Sequence, residues 1–424
     1  MKTYKNPTSD TWPAIMARPV MDFADIEPRV DAVLRAVRQN GDTALREFTQ
    51  QFDQVELDTI AVPPAELEAA EGPLSESLRQ AIHHASENIR FFHRQQLTKP
   101  EKITVRPGVV CWRKSVGIER VGLYIPGGTA PLISTVLMLG IPAQLAGCQK
   151  VILCSPPSRE GKLHPGILYA AKVAGVQEVY RVGGAQAIAA MGYGTESVPQ
   201  VDKIFGPGNQ YVTTAKQLLN KEGIAIDMPA GPSELAVVAD KQANPSFVAA
   251  DLLSQAEHGT DSQVLLITTD EAMLEKVQHA LNAQLPELPR REIAEKALEN
   301  SRMVFFEDPE AALRFTNAYA AEHLILNVED AEAMAEKITN AGSVFLGNYT
   351  PESAGDYASG TNHTLPTNGF ARAYSGVSVD SFVKKITFQQ LSPEGLEQIG
   401  DAVEALADAE SLEAHRQAVV LRRR

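Results

Sequence analysis

Cysteine is scarce in this chain of 424 residues, and its scarcity limits the kinds of cross-link and metal site that the sequence allows. Only Cys111, Cys148 and Cys154 occur. An odd, scattered set of three fits neither a disulfide framework nor a cysteine zinc site. We expect three buried thiols in a protein of the reducing cytoplasm. Residues 1–16 also lack the apolar run of a signal peptide, which agrees with a cytoplasmic location.

A basic net charge and long apolar runs are missing as well. The chain carries 39 Lys and Arg against 53 Asp and Glu, a net charge of -14. Nucleic acids and anionic membranes need a basic footprint, so we expect neither as a partner. The uncharged stretch 121–149 is interrupted by proline and glycine, whereas a membrane span needs ~20 continuous apolar residues. A buried strand followed by a buried helix is expected there instead.

What the sequence does contain is an alternation of short apolar strands with helical stretches. Helical patterns fill residues 26–96, strand and helix patterns then alternate over 121–233, and a second alternating series runs over 234–346. Such alternation is typical of βαβ units around a parallel sheet. We therefore predict an α/β fold with two successive Rossmann-like parallel-sheet domains, N-terminal helices and a C-terminal helical extension.

The predicted domain boundaries follow these changes of pattern, because a chain of this length exceeds one small core. The expected parts are an N-terminal arm (1–22), an α/β domain carrying metal and acid–base residues (23–120 with 234–380), an α/β domain contacting NAD (121–233) and a C-terminal helical dimerisation extension (381–424). Residues 348–376 have almost no apolar periodicity. A loop of that length inside a compact protein is functional or disordered.

Four glycine-rich turns follow predicted strands: YIPGGTAP, RVGGAQAIAAMGYG, IFGPGNQYV and DMPAGPSE. Glycine allows close approach of the backbone to a ligand, and helix N-termini favour phosphate. None of the turns gives the GxGxxG fingerprint with an acidic residue ~20 positions later. Each turn alone is equally well explained as a tight strand-to-helix connection. Four on one side of one sheet favour a ligand at the carboxyl ends of the strands.

The tripeptide Ala-Glu-His occurs twice, at 256–258 and 321–323. If the predicted first helix continues to Gly259, Gln255 and His258 lie one turn apart on one helix face. A histidine near a helix C-terminus is otherwise a capping residue. The pair alone therefore leaves a metal site and a helix cap both open.

The second copy places Glu322 beside His323, where a helix is followed by a strand. Adjacent side chains diverge in extended backbone, so no hydrogen-bonded dyad is expected between them. A histidine and a carboxylate acting on one substrate are nevertheless what stepwise proton removal requires. Asp356 lies in a Gly/Ser-rich run and either forms a turn or delivers a carboxylate to a metal or amine. Glu410 and His415 alone are typical of a solvated helix face.

Taken in order, a string of blocks resembles the histidinol dehydrogenase family over roughly residues 20–420. The blocks are RVGLYIPGGTAPLISTVLMLGIPAQLAGC, GGAQAIAAMGYGT, DKIFGPGNQYV, DMPAGPSE, DLLSQAEHG, AEHL, AGDYASGTNHTLPT and LEAHRQAV. An ordered string is far more specific than any of its parts. The resemblance implies a homodimeric zinc enzyme of histidine biosynthesis. It would oxidise L-histidinol to L-histidine through histidinaldehyde in two NAD-dependent steps.

The resemblance also implies a role for each matching residue. The zinc ligands would be Gln255, His258, Asp356 and His415. Glu322 and His323 would be the catalytic acid–base pair. The NAD contacts would be Tyr124, Gln186 and Asn209. The substrate contacts would be Ser233, Gln255, His258, His323, Asp356, Glu410 and His415, with Glu410 and His415 entering the site of the other subunit.

Two further functions are weighed against this one. A zinc-dependent hydrolase could use the same ligand set without a dinucleotide, and an absence of NAD binding would favour it. A non-catalytic α/β binding protein would keep its function after the substitutions Glu322→Gln and His323→Ala.

Overall fold

The structure is a computed structural model, and it describes residues 1–19, 25–127, 131–228 and 231–423. These residues form three sheets with helices packed on both faces of two of them. The strands are β1 Lys2–Lys5, β2 Ile103–Arg106, β3 Val109–Gly117, β4 Arg120–Tyr124, β5 Lys150–Ser155, β6 Glu178–Arg181, β7 Lys203–Phe205, β8 Ala225–Ile226, β9 Glu234–Ala239, β10 Gln263–Thr268, β11 Arg302–Phe305, β12 His323–Asn327, β13 Ser343–Leu346 and β14 Val383–Leu391. The helices are α1 Trp12–Ile15, α2 Glu27–Phe48, α3 Pro64–Ala69, α4 Glu76–Arg94, α5 Ile133–Leu145, α6 Pro165–Ala174, α7 Gly184–Tyr193, α8 Gln210–Lys221, α9 Pro245–Ala256, α10 Glu271–Gln284, α11 Arg291–Glu299, α12 Pro309–Tyr319, α13 Ala331–Ala335, α14 Glu352–Tyr357, α15 Pro393–Ala409 and α16 Glu413–Arg423.

The first parallel sheet has five strands in the order β6-β5-β4-β7-β8. This is the doubly wound order, which reverses direction between β4 and β7. Its strands are apolar on both faces because helices cover both. Apolar residues of α4, α5 and α6 form the core on one face, and those of α2, α7 and α8 form the core on the other. Helices α2 and α4, grouped with 234–380 in the sequence analysis, thus pack around this sheet.

The second parallel sheet has six strands in the order β1-β11-β10-β9-β12-β13. The winding is the same, with the reversal between β9 and β12, and β1 of the N-terminal arm adds an edge strand. Apolar residues of α9, α10 and α11 pack on one face, and those of α1 and α12 pack on the other. The prediction of an α/β fold with two successive parallel sheets is therefore confirmed.

A third, antiparallel sheet joins the C-terminal region to the middle of the chain. Its order is β14-β3-β2, and β14 pairs along its length with β3. Trp112 of β3 stacks on Phe388 of β14, with ring centroids 5.2 Å apart. The segment 381–424 was expected to be helical, and only its second part is, as α15 and α16. The β-branched and aromatic residues of β14 favour a strand once β3 supplies a partner.

Other expectations can be compared directly with the described residues. The uncharged stretch 121–149 contains the buried end of β4 and the buried helix α5, as predicted. None of the helices in the described ranges is long and apolar enough to cross a membrane. Cys154 is buried, whereas Cys111 and Cys148 are only half-buried, which differs from the expectation of three buried thiols.

Candidate active site

The predicted catalytic residues lie at the amino ends of strands in the six-stranded sheet, an edge we call the amino rim. His323 is the first residue of β12, and Glu322 precedes it. Ser233 precedes β9, which is the neighbour of β12 at the reversal of strand order. Open α/β sheets usually bind ligands at the carboxyl ends of their strands. This sheet instead presents its candidate chemistry at the opposite end.

His323 is enclosed by three carboxylates. Its Nε2 lies 3.3 Å from Asp356 Oδ1, and its Nδ1 lies 3.7 Å from Glu352 Oε1 and 3.8 Å from Glu322 Oε2. Burial disfavours the charged imidazole, but these carboxylates outweigh it and raise the pKa of His323 to about 10. A cation bound by the same carboxylates would reduce this effect and favour the neutral imidazole, which can accept a proton.

Glu322 is buried beside His323 without a hydrogen bond to it. The distance of 3.8 Å between Glu322 Oε2 and His323 Nδ1 is too long for one, as predicted for adjacent side chains. Glu322 Oε2 instead accepts the backbone N–H of Glu234 at 2.9 Å. Burial raises the pKa of Glu322 to about 7, although His323 and this N–H oppose the rise. Glu322 can therefore gain and lose a proton near neutral pH.

A group of metal-binding side chains adjoins His323. Donor atoms of His258, Glu352 and Asp356 all lie within 4.8 Å of one another. Gln255 Nε2 lies 3.0 Å from His258 Nδ1. Within the described residues, Gln255 Oε1 and both carboxylate oxygens of Glu352 are buried without a hydrogen-bond partner. Unpaired buried oxygens are costly, so these residues fit a cation that takes nitrogen and oxygen ligands, as zinc does.

Helix α9 ends one residue before Glu257, earlier than the end at Gly259 considered from the sequence. The chain nevertheless continues to turn, because the N–H of His258 donates to the carbonyl of Gln255 at 3.2 Å. Gln255 is fully buried and His258 is exposed. The two predicted ligands therefore meet in spite of the shorter helix.

Glu352 was missed by the sequence analysis. It lies in the segment 348–376 that was predicted as a loop, but residues Glu352–Tyr357 form helix α14. The spacing of four residues places Glu352 and Asp356 on the same helix face. The pattern Glu-x-x-x-Asp in ESAGD would have revealed the pair. The helix is short and rich in small residues, so it has no apolar periodicity to reveal it.

The predicted NAD contacts lie at the carboxyl ends of the five-stranded sheet, near its reversal of strand order. Tyr124 ends β4, and its hydroxyl accepts the N–H of Gly184 at 3.1 Å, at the start of α7. Gln186, in the first turn of α7, is only 2% exposed. Burial raises the pKa of Tyr124 to about 12, so its phenol stays protonated. The phenol, an amide and a helix N-terminus therefore meet at this edge.

One cavity joins the two sheets' candidate residues. It has a volume of about 410 Å³, and Asn209, Ser233 and His258 all line it. Asn209 is exposed at the N-terminus of α8, where its Oδ1 accepts two backbone N–H groups and its amide nitrogen can still donate to a ligand. A predicted NAD contact, a predicted substrate contact and a predicted metal ligand therefore share one space.

The family model described as histidinol dehydrogenase matches residues 16–423. This chain belongs to the histidinol dehydrogenase family. The histidinol dehydrogenase of Bacteroides thetaiotaomicron is 56% identical over 422 residues, which cover 100% of this chain and 99% of that protein. That of Vibrio parahaemolyticus is 50% identical over 412 residues, covering 96% and 95%. A crystal structure of histidinol dehydrogenase from Elizabethkingia anophelis gives a TM-score of 0.98 at 53% identity, covering 100% of this chain and 98% of that one.

Membership of the histidinol dehydrogenase family makes this chain an oxidoreductase and confirms the resemblance seen in the sequence.

Two of the predicted residues lie apart from the others in the single chain. Glu410 follows α15 and His415 lies in α16, both are exposed, and neither lines the cavity of about 410 Å³. Helix α16 packs on α15, where Arg423 pairs with Glu397 at 3.1 Å and with Glu404 at 2.6 Å.

Proposed function

We propose that this chain oxidises L-histidinol to L-histidine in two successive NAD-dependent steps, as a zinc enzyme of histidine biosynthesis in the cytoplasm. The observation that carries this proposal is the cavity lined by Asn209, Ser233 and His258. It supports the proposal because it joins groups suited to a dinucleotide, a polar substrate and a metal. A hydrolase would not need the residues grouped around Tyr124.

Gln255, His258 and Asp356, with His415 of a second copy, would hold the zinc ion. Zinc supplies a Lewis acid with room for the amine and imidazole of histidinol, and so mainly orients the substrate. Among the described residues, Gln255 Oε1 is buried without a hydrogen-bond partner, which supports this assignment. Glu352 adds a further buried carboxylate beside the same ligands.

In the first oxidation His323 accepts the proton of the substrate hydroxyl, and bound NAD would supply the hydride acceptor. The three surrounding carboxylates hold the imidazole in place and stabilise it once it is protonated. His323 is only 3% exposed, so its imidazole is shielded from bulk water. The product of this step is histidinaldehyde.

In the second oxidation Glu322 takes a proton from the water that adds to the aldehyde, and a second NAD would supply the acceptor for the second hydride. The N–H of Glu234 fixes one carboxylate oxygen, at 2.9 Å, which leaves the other oxygen for the water. Because the pKa of Glu322 is about 7, its basic form predominates only above neutral pH. This step is therefore expected to accelerate as pH rises through 7.

The same proposal includes a homodimer in which residues 381–424 of one copy complete the site of the other. Glu410 and His415 would contact substrate and zinc across the interface. Exposed leucines along this region support a surface that another copy covers: Leu406, Leu412 and Leu421. The boundaries at residues 22, 120, 233 and 380 belong to this proposal too, with helices α2 and α4 grouped with the five-stranded sheet that they cover.

The test is a count of products from zinc-loaded protein at mildly alkaline pH. We expect two NADH for each L-histidinol consumed, one zinc ion for each chain by elemental analysis, and histidine as the product. Protein stripped of metal with a chelator is the matched control and should regain activity on zinc addition. Absence of NADH from the zinc-loaded protein would overturn the proposal.

A further inference from the structure

A buried ion pair lies close to the proposed dinucleotide site without belonging to the predicted set. Lys216 is in the middle of α8, and Asp227 follows β8 directly. The two side chains pair with each other at 5% and 2% exposure. Burial of two charges is costly unless their remaining hydrogen-bonding capacity is also used. The other hydrogen-bond partners of Lys216 and Asp227 therefore indicate the structural role of the ion pair.

The remaining bonds converge on Gly206. The N–H of Gly206 donates to Asp227 Oδ2 at 2.8 Å, and its carbonyl accepts Lys216 Nζ at 3.0 Å. Gly206 has φ +128, and a Cβ there would lie 2.0 Å from the carbonyl oxygen of Tyr124. Position 206 therefore requires glycine. Because glycine has no side chain, its backbone can adopt many conformations, and glycine by itself does not fix the one seen here. The ion pair fixes the backbone conformation of Gly206 by forming hydrogen bonds with both its N–H and its carbonyl.

The pair also holds the turn that leads to one wall of the cavity. The turn that begins at Gly206 leads to Asn209, at the N-terminus of α8. Asp227 Oδ1 additionally accepts the N–H of Met228 at 2.8 Å. A shift of this carboxylate would therefore move the turn that leads to Asn209.

We propose that Lys216 and Asp227 are positioning residues for the dinucleotide, acting through Gly206. They hold the turn 206–209 against Tyr124 in the one orientation that presents Asn209 to the cofactor. This inference rests on the proposed function, since it takes the ligand of that turn to be NAD. A displacement of about 1 Å at such a position can cost up to about a hundredfold in activity.

The test is the substitution Asp227→Asn. An amide has one acceptor oxygen, so it cannot accept both Gly206 N–H and Met228 N–H from separate oxygens, and Lys216 loses its counter-charge. We expect the Kd for NAD by calorimetry and the KM for NAD to rise between about tenfold and about a hundredfold. The KM for L-histidinol and the zinc content should stay at the wild-type values.

The matched control is Asp202→Asn in the same sheet. Like Asp227, Asp202 pairs with a basic side chain, that of Arg120 at 2.6 Å, and accepts a backbone N–H, at 3.1 Å. It lies at the amino ends of β4 and β7, away from the glycine-rich turns, and it is solvent-exposed. NAD binding by this control should equal that of the wild type.

Because a single substitution leaves Lys216 buried and unpaired, the neutral double variant Lys216→Gln with Asp227→Asn is measured alongside it. It too should fold and bind NAD more weakly than the wild type. Wild-type NAD affinity in both variants, an equal loss of histidinol affinity, or failure of both variants to fold would overturn the inference. NAD binding by the wild type itself, weakened by Asn209→Ala, tests the proposed function separately. If the wild type does not bind NAD, the proposed function fails first.

Discussion

The substitution Glu322→Gln should make the protein a poorer enzyme and a more stable fold at the same time. The glutamine amide oxygen can still accept the N–H of Glu234, which Glu322 accepts at 2.9 Å. What is lost is the base for the aldehyde step, and general bases typically contribute about 10²–10⁴-fold. The oxidation of histidinaldehyde should slow by that factor, while the first oxidation of histidinol changes much less. Single-turnover NADH absorbance with each substrate separates the two steps.

The expected gain in stability of Glu322→Gln follows from the pKa of Glu322, which burial raises from 4.5 to about 7. Below pH 4.5 the carboxyl is protonated in both the folded and the unfolded chain, so it costs nothing. As pH rises from 4.5 to 7 the unfolded chain loses its proton first, and the folded state loses about 3 kcal/mol of stability. The variant is free of this penalty. In metal-stripped protein its thermal midpoint should exceed the wild-type value at pH 8 and approach it at pH 5.

The control is Glu257→Gln, which removes the carboxylate of the other Ala-Glu-His tripeptide. We assign no chemical role to Glu257 itself. This variant should leave both half-reactions unchanged. Equal activity toward histidinaldehyde in the wild type and in Glu322→Gln would refute the proposed role of Glu322. A lower thermal midpoint for Glu322→Gln at pH 8 would refute the argument from burial.

Three further predictions concern neighbouring residues. His323→Ala should slow the first oxidation by about 10²–10⁴-fold, and near-normal NADH formation from histidinol would contradict its assignment. Glu352→Gln removes one of three carboxylates that raise the pKa of His323, so the pH profile of histidinol oxidation should shift to lower pH; an unchanged profile would count against the contact. Mixing inactive His415→Ala and His323→Ala chains should restore activity, because a heterodimer has one site with both lesions and one with neither. No recovery after verified subunit exchange would exclude shared sites.

The parallel sheets could be predicted from the sequence because their strands are covered by helices on both faces. Strand β9 is buried at every position, and after Glu234 its residues 235–239 form a continuous apolar run. Strand β14 has exposed residues along most of its length, and its partner β3 lies more than 250 residues earlier in the chain. Pairing over such a separation leaves no local pattern. For that reason the extension 381–424 was predicted to be entirely helical.

The candidate site shows the same contrast between local and tertiary information. Gln255 and His258 are one turn apart, and Glu322 and His323 are adjacent, so spacing placed the members of each pair together, whereas their roles came from the resemblance to the histidinol dehydrogenase family. The approach of Asp356 Oδ1 to His323 Nε2, at 3.3 Å, depends on how α14 packs beside β12. The spacing of residues along the sequence does not predict that approach. It also does not reveal that the six-stranded sheet presents its chemistry at the amino rim.

Use of the amino rim has a practical consequence for the opposite edge of the six-stranded sheet. There β9, β10, β11 and β12 connect to helices through turns that end at Asn244, Asp270, Asp308 and Asp330. Each of these side chains accepts a backbone N–H in the first turn of the following helix, so each turn is complete without a ligand. An engineered cysteine in one of these turns could carry a fluorophore or a surface tether far from the reacting groups. An immobilised biosensor built on this protein should be attached at that edge.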